Sequence, residues 1–222
     1  MIPLADVSRR PAIFPAVTIS MIAINFVVFV LELINGDAFV LKWALVPAHI
    51  SSGHDYVTVF TSMFLHGSWS HIIGNMVFLW AFGPEIEDAM GSLRYSIFYV
   101  AGGIAATLAQ LAFDPHSTIP NLGASGAIAA VMGAFLVTFP RDQIRSLLFL
   151  GIFVRITYIP AALLIGLWFI LQLFNAGSVV TAPTVASQSG GVAYLAHVGG
   201  LLFGAFFARL FEDRSHVAAA SQ

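Results

Sequence analysis

The sequence contains no cysteine, and only 9% of its 222 residues are charged. Without thiols the chain forms neither disulfides nor thiolate metal sites, and a cysteine nucleophile is excluded. The scarcity of charge is more informative, because a soluble domain of this size carries roughly a quarter charged residues. A net charge of −2 and a pI near 6.3 provide no basic field for nucleic acid, so we expect no such partner.

Apolar residues take the place of the missing charges, at 59% of the chain with a mean hydropathy of +0.90. This composition indicates that the lipid bilayer is the solvent of most of the chain. The apolar stretches lack the alternating pattern of membrane barrels, so we predict an all-α, polytopic membrane protein forming one domain over residues 1–222. Stretches long enough for helical spans of about 20 residues lie at about 12–34, 70–88, 94–113, 121–139, 157–174 and 191–211.

Three segments between these six spans have distinct compositions. The segment 35–69 is rich in aromatic residues and fits a loop that is structured at the membrane interface. The segment 141–156 is apolar but bracketed by arginines, which predicts a position at the membrane surface. The segment 176–190 is rich in small, polar and helix-breaking residues, which predicts a flexible loop.

Basic residues are distributed unevenly between the two sides of the predicted bundle. Lys42 alone falls on one side, and basic residues mark the cytoplasmic side of membrane proteins. We therefore expect an integral protein of the cell (inner) membrane with both termini in the cytoplasm. The basic residues on the termini side are Arg9, Arg10, Arg94, Arg141, Arg145, Arg155, Arg209 and Arg214.

Three of the spans begin with polar side chains that lipid disfavours. Span two opens with HGSWSHIIGN, which puts His71 and Asn75 four residues apart on one helix face. Span four opens with NLGASGAIAA and carries Ser125, and span six opens with GVAYLAHVGG and carries His197. Polar groups inside a span indicate function by default.

The topology brings these four side chains to a similar depth. Spans two, four and six run in the same direction, and each polar group lies on the order of 10 Å below the outer face at 1.5 Å per residue. If the helices are neighbours, the groups can converge.

Such a cluster suits acyl transfer. A serine hydroxyl needs a base, and a neutral imidazole can accept its proton. Asn and His side chains and backbone N–H groups can stabilise the oxyanion that forms. Since no carboxylate lies in the matching layer of another span, we predict a Ser–His dyad rather than a triad. Neither a metal site nor a cofactor is indicated.

Each feature also has a structural interpretation. Small residues commonly let membrane helices pack closely, and Gly200 and Gly204 have the spacing typical of such contacts. Asn75 alone could join two helices by a hydrogen bond, and His49 or His66 alone fits an interfacial residue. The joint occurrence of the polar groups at one depth favours function.

Three spaced motifs, in this order, resemble the signature of the rhomboid family over residues 12–211. They are H-x-x-x-N at 71–75, G-A-S-G at 123–126 and A-H-x-x-G-x-x-x-G at 196–204. The resemblance implies a six-helix rhomboid-like bundle in which Ser125 is the nucleophile and His197 the general base. It also implies an oxyanion hole formed by His71, Asn75 and the backbone N–H of Ser125. Structural support would come from Gly123, Gly126, Gly200, Gly204 and Glu87.

The resemblance further implies cleavage of transmembrane protein substrates near the outer end of their span, after a small residue. Glu87 would either tie down the first outer loop or simply be a charge at a helix end. Segment 176–190 and span five would form the cap and side gate. Two departures stand out. Residues 56–60 read YVTVF where many relatives have a Trp-Arg pair, and Ala129 replaces an aromatic residue that stacks on the base, so His197 must be held by other contacts.

Two other functions stay open from the sequence. One is a non-catalytic rhomboid-like protein that binds membrane proteins, although such proteins typically lack the serine or the histidine. The other is an unrelated small transporter, although the chain shows neither an internal repeat nor acidic residues at mid-membrane depth. The sequence predicts no oligomeric state.

Overall fold

The computed structural model describes residues 1–151, 153–181 and 193–213. Most of the described chain is helical, and a small sheet lies at one end of the bundle. The helices are α1 (Ala16–Asn35), α2 (Asp37–Trp43), α3 (Pro47–Ser51), α4 (Thr58–Thr61), α5 (Trp69–Met90), α6 (Ser92–Phe113), α7 (Ser125–Thr138), α8 (Ala161–Thr181) and α9 (Tyr194–Phe211). A 3₁₀ turn at Ser62–Phe64 follows α4.

Three of the described helices, α1, α6 and α9, are long and apolar enough to cross a membrane. Helix α7 and the first part of α8, 161–174, are shorter apolar helices. Helix α5 has 22 residues and carries buried acidic side chains in its last two turns. The chain is therefore an integral membrane protein with three candidate spans, and the six-span count stays a prediction. The prediction of a flexible loop at 176–190 is wrong for 176–181, which belong to α8, and the rest of that segment lies outside the described residues.

A three-stranded antiparallel sheet departs from the all-α prediction. Its strands are β1 (Ile2–Asp6), β2 (Gln143–Leu150) and β3 (Phe153–Pro160), in the order β1-β2-β3. The prediction of helix from residue 157 is wrong for the last residues of β3, since α8 begins at Ala161. The hairpin forms because 143–160 is rich in β-branched and aromatic residues and turns at Gly151, whose φ is +62°.

Ionic contacts join the sheet to the bundle at what we call the sheet end. Asp142 pairs with the guanidinium of Arg9, which lies 3.8 Å from the centre of the Phe139 ring at the end of α7. The backbone N–H of Gln143 donates to the hydroxyl of Ser8 at 2.6 Å. The N-terminal strand is thus fixed to the connection between α7 and α8. The opposite end of the bundle, where α5 and α7 begin, is the site end.

Helix α7 lies at the centre of the bundle, with Gly126–Phe135 buried without interruption. Its backbone touches that of α9. A Cβ atom on Gly200 would collide with the carbonyl oxygen of Gly126, and one on Gly204 would collide with that of Ala130. Only glycine lets the two helices approach this closely, so these positions set the distance between α7 and α9.

Glu87 is fully buried near the end of α5 and binds the N-terminus of α1. Its carboxylate accepts from the backbone N–H groups of Val17 and Thr18 at 2.9 and 2.8 Å, and from the Ser92 hydroxyl at 2.8 Å. Free N–H groups and a positive dipole end make a helix N-terminus a good partner for a carboxylate. The implied role of Glu87 at the first outer loop is therefore corrected, because these contacts lie at the sheet end.

The buried position of Asp6 at the sheet end predicts that the stability of the folded protein depends on pH. Burial raises the pKa of Asp6 to about 6, and the neighbouring Asp142 adds to the rise. The backbone N–H of Ser8 and the charge of Arg9, whose Nε is 3.9 Å from Asp6, offset only part of it. A raised carboxyl pKa means that the folded protein loses stability as pH rises from about 4 through about 6. Asp6→Asn carries no charge, so we expect its melting temperature to exceed that of the wild type at pH 8 and the gain to vanish near pH 4.

Thermal unfolding in detergent between pH 4 and pH 8 measures this difference. Asp114→Asn, at an exposed position, is the control, and its curve should follow the wild type at every pH. A stability gain for Asp6→Asn that is the same at both ends of the pH range would contradict the assignment.

Candidate active site

Ser125 begins α7 at the site end, directly after a glycine turn. Gly123 has a φ of +129°, in the left-handed region that favours glycine, and its N–H donates to the carbonyl of Ser62 at 2.9 Å. A helix leaves its first N–H groups without intrahelical acceptors, so the N–H of Ser125 is available beside its own hydroxyl.

His197 lies in the first turn of α9 and contacts the serine directly. Its Nε2 is 2.7 Å from the Ser125 Oγ, and the residue is only 8% exposed. The close α7–α9 contact joins Gly126, the residue after Ser125, to Gly200, three residues after His197, and brings the two side chains into reach. The structure therefore brings together the serine and the histidine that the sequence singled out.

The other face of the His197 imidazole is held by α8. Nδ1 lies 2.7 Å from the amide oxygen of Gln172, and the Trp168 ring lies 5.5 Å from the imidazole, centre to centre. An amide oxygen only accepts, so Nδ1 carries the proton and Nε2 is left to accept from the Ser125 hydroxyl. These contacts replace the aromatic residue that is absent at Ala129.

The sequence pattern does not single out Gln172, although a signal was present. Gln172 is the one strongly polar residue in the predicted span 157–174 of the sequence, and it follows Trp168 by one helical turn. A polar residue on the same face as an aromatic one could have been read as part of the site.

His71 lines the same cavity as Ser125 and His197. Helix α5 begins after Ser68, whose hydroxyl accepts from the His71 N–H at 3.2 Å. A Cβ on Gly123 would lie 2.9 Å from the His71 Nε2, so the imidazole packs against the glycine turn. Together with Ser125 and His197 it lines a cavity of about 50 Å³. A water needs about 10–15 Å³ of such volume, so the cavity can hold a few waters.

Asn75 lies one turn further along α5 and is held by His66. Its Nδ2 donates to the His66 Nε2 at 2.9 Å, and the backbone N–H of His66 donates to both carboxylate oxygens of Glu32 at 3.0 and 3.2 Å. His66 is only 1% exposed, so its interpretation as an interfacial residue is wrong. Glu32, on α1, is the carboxylate that holds the end of the first loop, 35–69.

This arrangement has the parts that acyl transfer requires. The serine hydroxyl has an oriented base, and Ser125 and His71 line the same cavity. Within residues 1–151, 153–181 and 193–213, no group of three His, Cys, Asp or Glu side chains is placed to hold a metal ion.

The family model and the similar known proteins all point to the same family. The sequence model of the Rhomboid domain matches residues 53–214. The chain is 30% identical to the yeast (Saccharomyces cerevisiae) protein "Rhomboid protein 1, mitochondrial" over 74% of its length, and 30% identical to "Rhomboid protease GluP" of Bacillus subtilis over 87%. It is 27% identical over 66% to the "Presenilin-associated rhomboid-like protein, mitochondrial" of Bos taurus. The chain covers 46%, 34% and 36% of these three proteins, less than half of each.

The contact between Asn75 and His66 predicts the effect of replacing His66. His66→Phe keeps a ring of similar size but removes the acceptor that fixes the Asn75 amide. Because one hydrogen bond is worth about 1 kcal/mol, we expect the rate at which a fluorophosphonate labels Ser125 to fall about 5- to 10-fold. His54→Phe, at an exposed position, is the matched control and should leave the rate unchanged. Equal labelling of the His66→Phe and wild-type proteins would show that His66 does not act on the site.

Proposed function

The chain belongs to the rhomboid family, and we propose that it is an intramembrane serine endopeptidase. It would use Ser125 and His197 to hydrolyse peptide bonds in or near the transmembrane segments of membrane-protein substrates. The observation that carries the proposal is the 2.7 Å contact between the Ser125 Oγ and the His197 Nε2, in a cavity that also holds His71. The name "Rhomboid protease" of the Bacillus subtilis relative supports it.

The proposed membrane arrangement has six spans, formed by α1, α5, α6, α7, α8 and α9 within a single domain over residues 1–222. An even number of spans puts both termini on one side, and the excess of arginine there favours the cytoplasm of a cell (inner) membrane. The site end would then face outward. This places the Ser125 hydroxyl near the outer ends of the spans rather than at the bilayer centre.

In the acylation step the Ser125 Oγ attacks the carbonyl carbon of the scissile bond while His197 Nε2 takes its proton. The carbonyl oxygen becomes an oxyanion, which the N–H of Ser125 and the side chains of His71 and Asn75 would stabilise. The imidazolium then gives the proton to the leaving amine, and the carbon–nitrogen bond breaks. The carboxyl-side fragment leaves, and the rest of the substrate stays as an ester on Ser125.

In the deacylation step a water attacks the ester carbonyl while His197 Nε2 takes a proton from it. The ester bond breaks, the proton returns to the Ser125 Oγ, and the second fragment leaves with a new carboxyl group. The 50 Å³ cavity beside the two side chains supplies room for this water in an otherwise apolar bundle.

The lining of this cavity supports a preference for small substrate side chains. Gly103, Gly126 and Ala127 form part of its wall, and the free volume is only about 50 Å³. A large side chain would therefore not fit there. Cleavage after a small residue, in a segment that unwinds easily near the outer face, fits this space.

Loss of the serine hydroxyl tests the proposed nucleophile. We expect the wild-type protein in liposomes to cleave a single-span reporter and Ser125→Ala to show no cleavage above background, because the variant lacks the hydroxyl that contacts the His197 Nε2 and would form the ester. Ser20→Ala, on an exposed face of α1, is the matched control and should cleave at the wild-type rate. Cleavage by Ser125→Ala at the wild-type rate would exclude the mechanism.

Removal of the Asn75 amide tests the proposed oxyanion hole. One oxyanion donor contributes about 10²–10³ to kcat, so Asn75→Ala should lower kcat by about that factor with little change in KM. Asn35→Ala, an exposed asparagine at the end of α1, should behave like the wild type. A change confined to KM would instead assign Asn75 to substrate binding.

A further inference from the structure

We propose that Gln172 is a positioning residue for catalysis, so that the site works as a Ser125–His197–Gln172 triad with a neutral third member. The inference rests on the proposed protease function and adds a third residue, from α8, to it. It starts from the 2.7 Å contact between the Gln172 amide oxygen and the His197 Nδ1.

The hydrogen bond determines which nitrogen of the imidazole carries the proton. Since the Gln172 oxygen can only accept, it selects the tautomer with the proton on Nδ1. The lone pair on Nε2 then points at the Ser125 Oγ, which is the form a general base requires. When Nε2 takes the serine proton, the imidazolium keeps its Nδ1–H bond to the same oxygen, which stabilises the charge that develops there.

Burial makes this contact important. Gln172 is 9% exposed and His197 is 8% exposed, so water has little access to replace a lost acceptor. Without Gln172 the Nδ1–H would be buried without a partner, and the opposite tautomer would become competitive. A buried donor left without an acceptor costs more than a typical hydrogen bond gains.

The position of Gln172 on α8 is otherwise unexplained by packing. The exposed face of α8 carries Leu163, Leu167 and Leu171, which are 49–60% exposed. The inward face carries the buried apolar side chains of Leu164 and Ile165. A leucine at position 172 would suit this inward face better than an amide, because a polar group in lipid needs a partner. His197 supplies that partner.

An amide also suits the surroundings better than a carboxylate. A buried anion would need compensating charge, because taking it out of water is strongly unfavourable. An amide oxygen orients the imidazole without that cost. The base therefore has an orienting group although its partner on α8 is not a carboxylate.

The rival explanation is that Gln172 only holds α8 against α9. Such a structural role predicts lower thermal stability with normal chemistry in the folded protein. The positioning role predicts a change in kcat and in the pH profile. The two are separable by measuring cleavage, pH dependence, fluorophosphonate labelling and unfolding on the same proteins.

The experiment compares wild type, Gln172→Leu and Gln172→Glu, with Gln110→Leu on α6 as the control for the same chemical change in another helix. Cleavage is measured in liposomes at about pH 7.5, within the range in which histidine changes its charge. We expect Gln172→Leu to lower kcat about 10- to 100-fold with KM nearly unchanged. The fluorophosphonate labelling rate should fall by a similar factor.

Gln172→Glu retains an acceptor oxygen at the same position and should recover most of the lost rate. Its carboxylate would favour the imidazolium, so the acidic limb of the pH–rate profile should move to higher pH. Gln110→Leu should match the wild type in rate and in pH profile.

A wild-type kcat and pH profile in Gln172→Leu would overturn the inference. A loss of activity that is explained wholly by a smaller folded fraction, with a normal labelling rate per folded molecule, would also overturn it. These outcomes leave the proposed protease intact. A wild-type protein that neither cleaves reporters nor takes the fluorophosphonate would overturn the proposed function itself, and the inference with it.

Discussion

The backbone contact between α7 and α9 is the constraint on which the site depends. Helices that pack through ordinary side chains have axes 8–10 Å apart. Here Gly200 and Gly204 of α9 lie against the carbonyl groups of Gly126 and Ala130 on α7. This contact brings His197 to the Ser125 hydroxyl from a neighbouring helix. Any side chain larger than hydrogen at either glycine would push the two helices apart and lengthen the contact on which the proposed proton transfer depends.

Buried carboxylates at the two ends of α1 hold the surroundings of that contact in place. Glu87 binds the helix N-terminus at the sheet end, and Glu32 binds the His66 N–H at the site end. Both are almost fully buried, where a charge without partners would be costly. Glu87 accepts from two backbone N–H groups and two hydroxyls, and Glu32 accepts from one backbone N–H with both of its oxygens. Glu32 is linked to Asn75 through His66, whose backbone N–H binds Glu32 and whose ring contacts Asn75. Helix α1 therefore supports the site without contributing a reacting group.

The sequence was sufficient to single out Ser125, His197 and His71, because each stands out as polar in an apolar span at the same depth. It was insufficient for the sheet, since β1 pairs with a strand about 140 residues away and neither segment shows this alone. Gln172 and His66 were missed for a related reason. Each has meaning only through one partner on another helix or loop, and a single sequence does not reveal which residues will face each other.

The same geometry explains how the base can lack both a carboxylate and the aromatic residue expected beside it. Helix α8 supplies an acceptor through Gln172 and a ring through Trp168, one turn apart on a single face. At a surface in contact with water, a charged partner for histidine costs little free energy. Inside an apolar bundle, a buried anion would need a nearby positive charge to offset its loss of hydration. A neutral amide orients the imidazole at no such cost. In the proposed protease, catalysis would then depend on how firmly α8 is seated against α9, because Gln172 and Trp168 orient the base from a helix that carries neither of the reacting side chains.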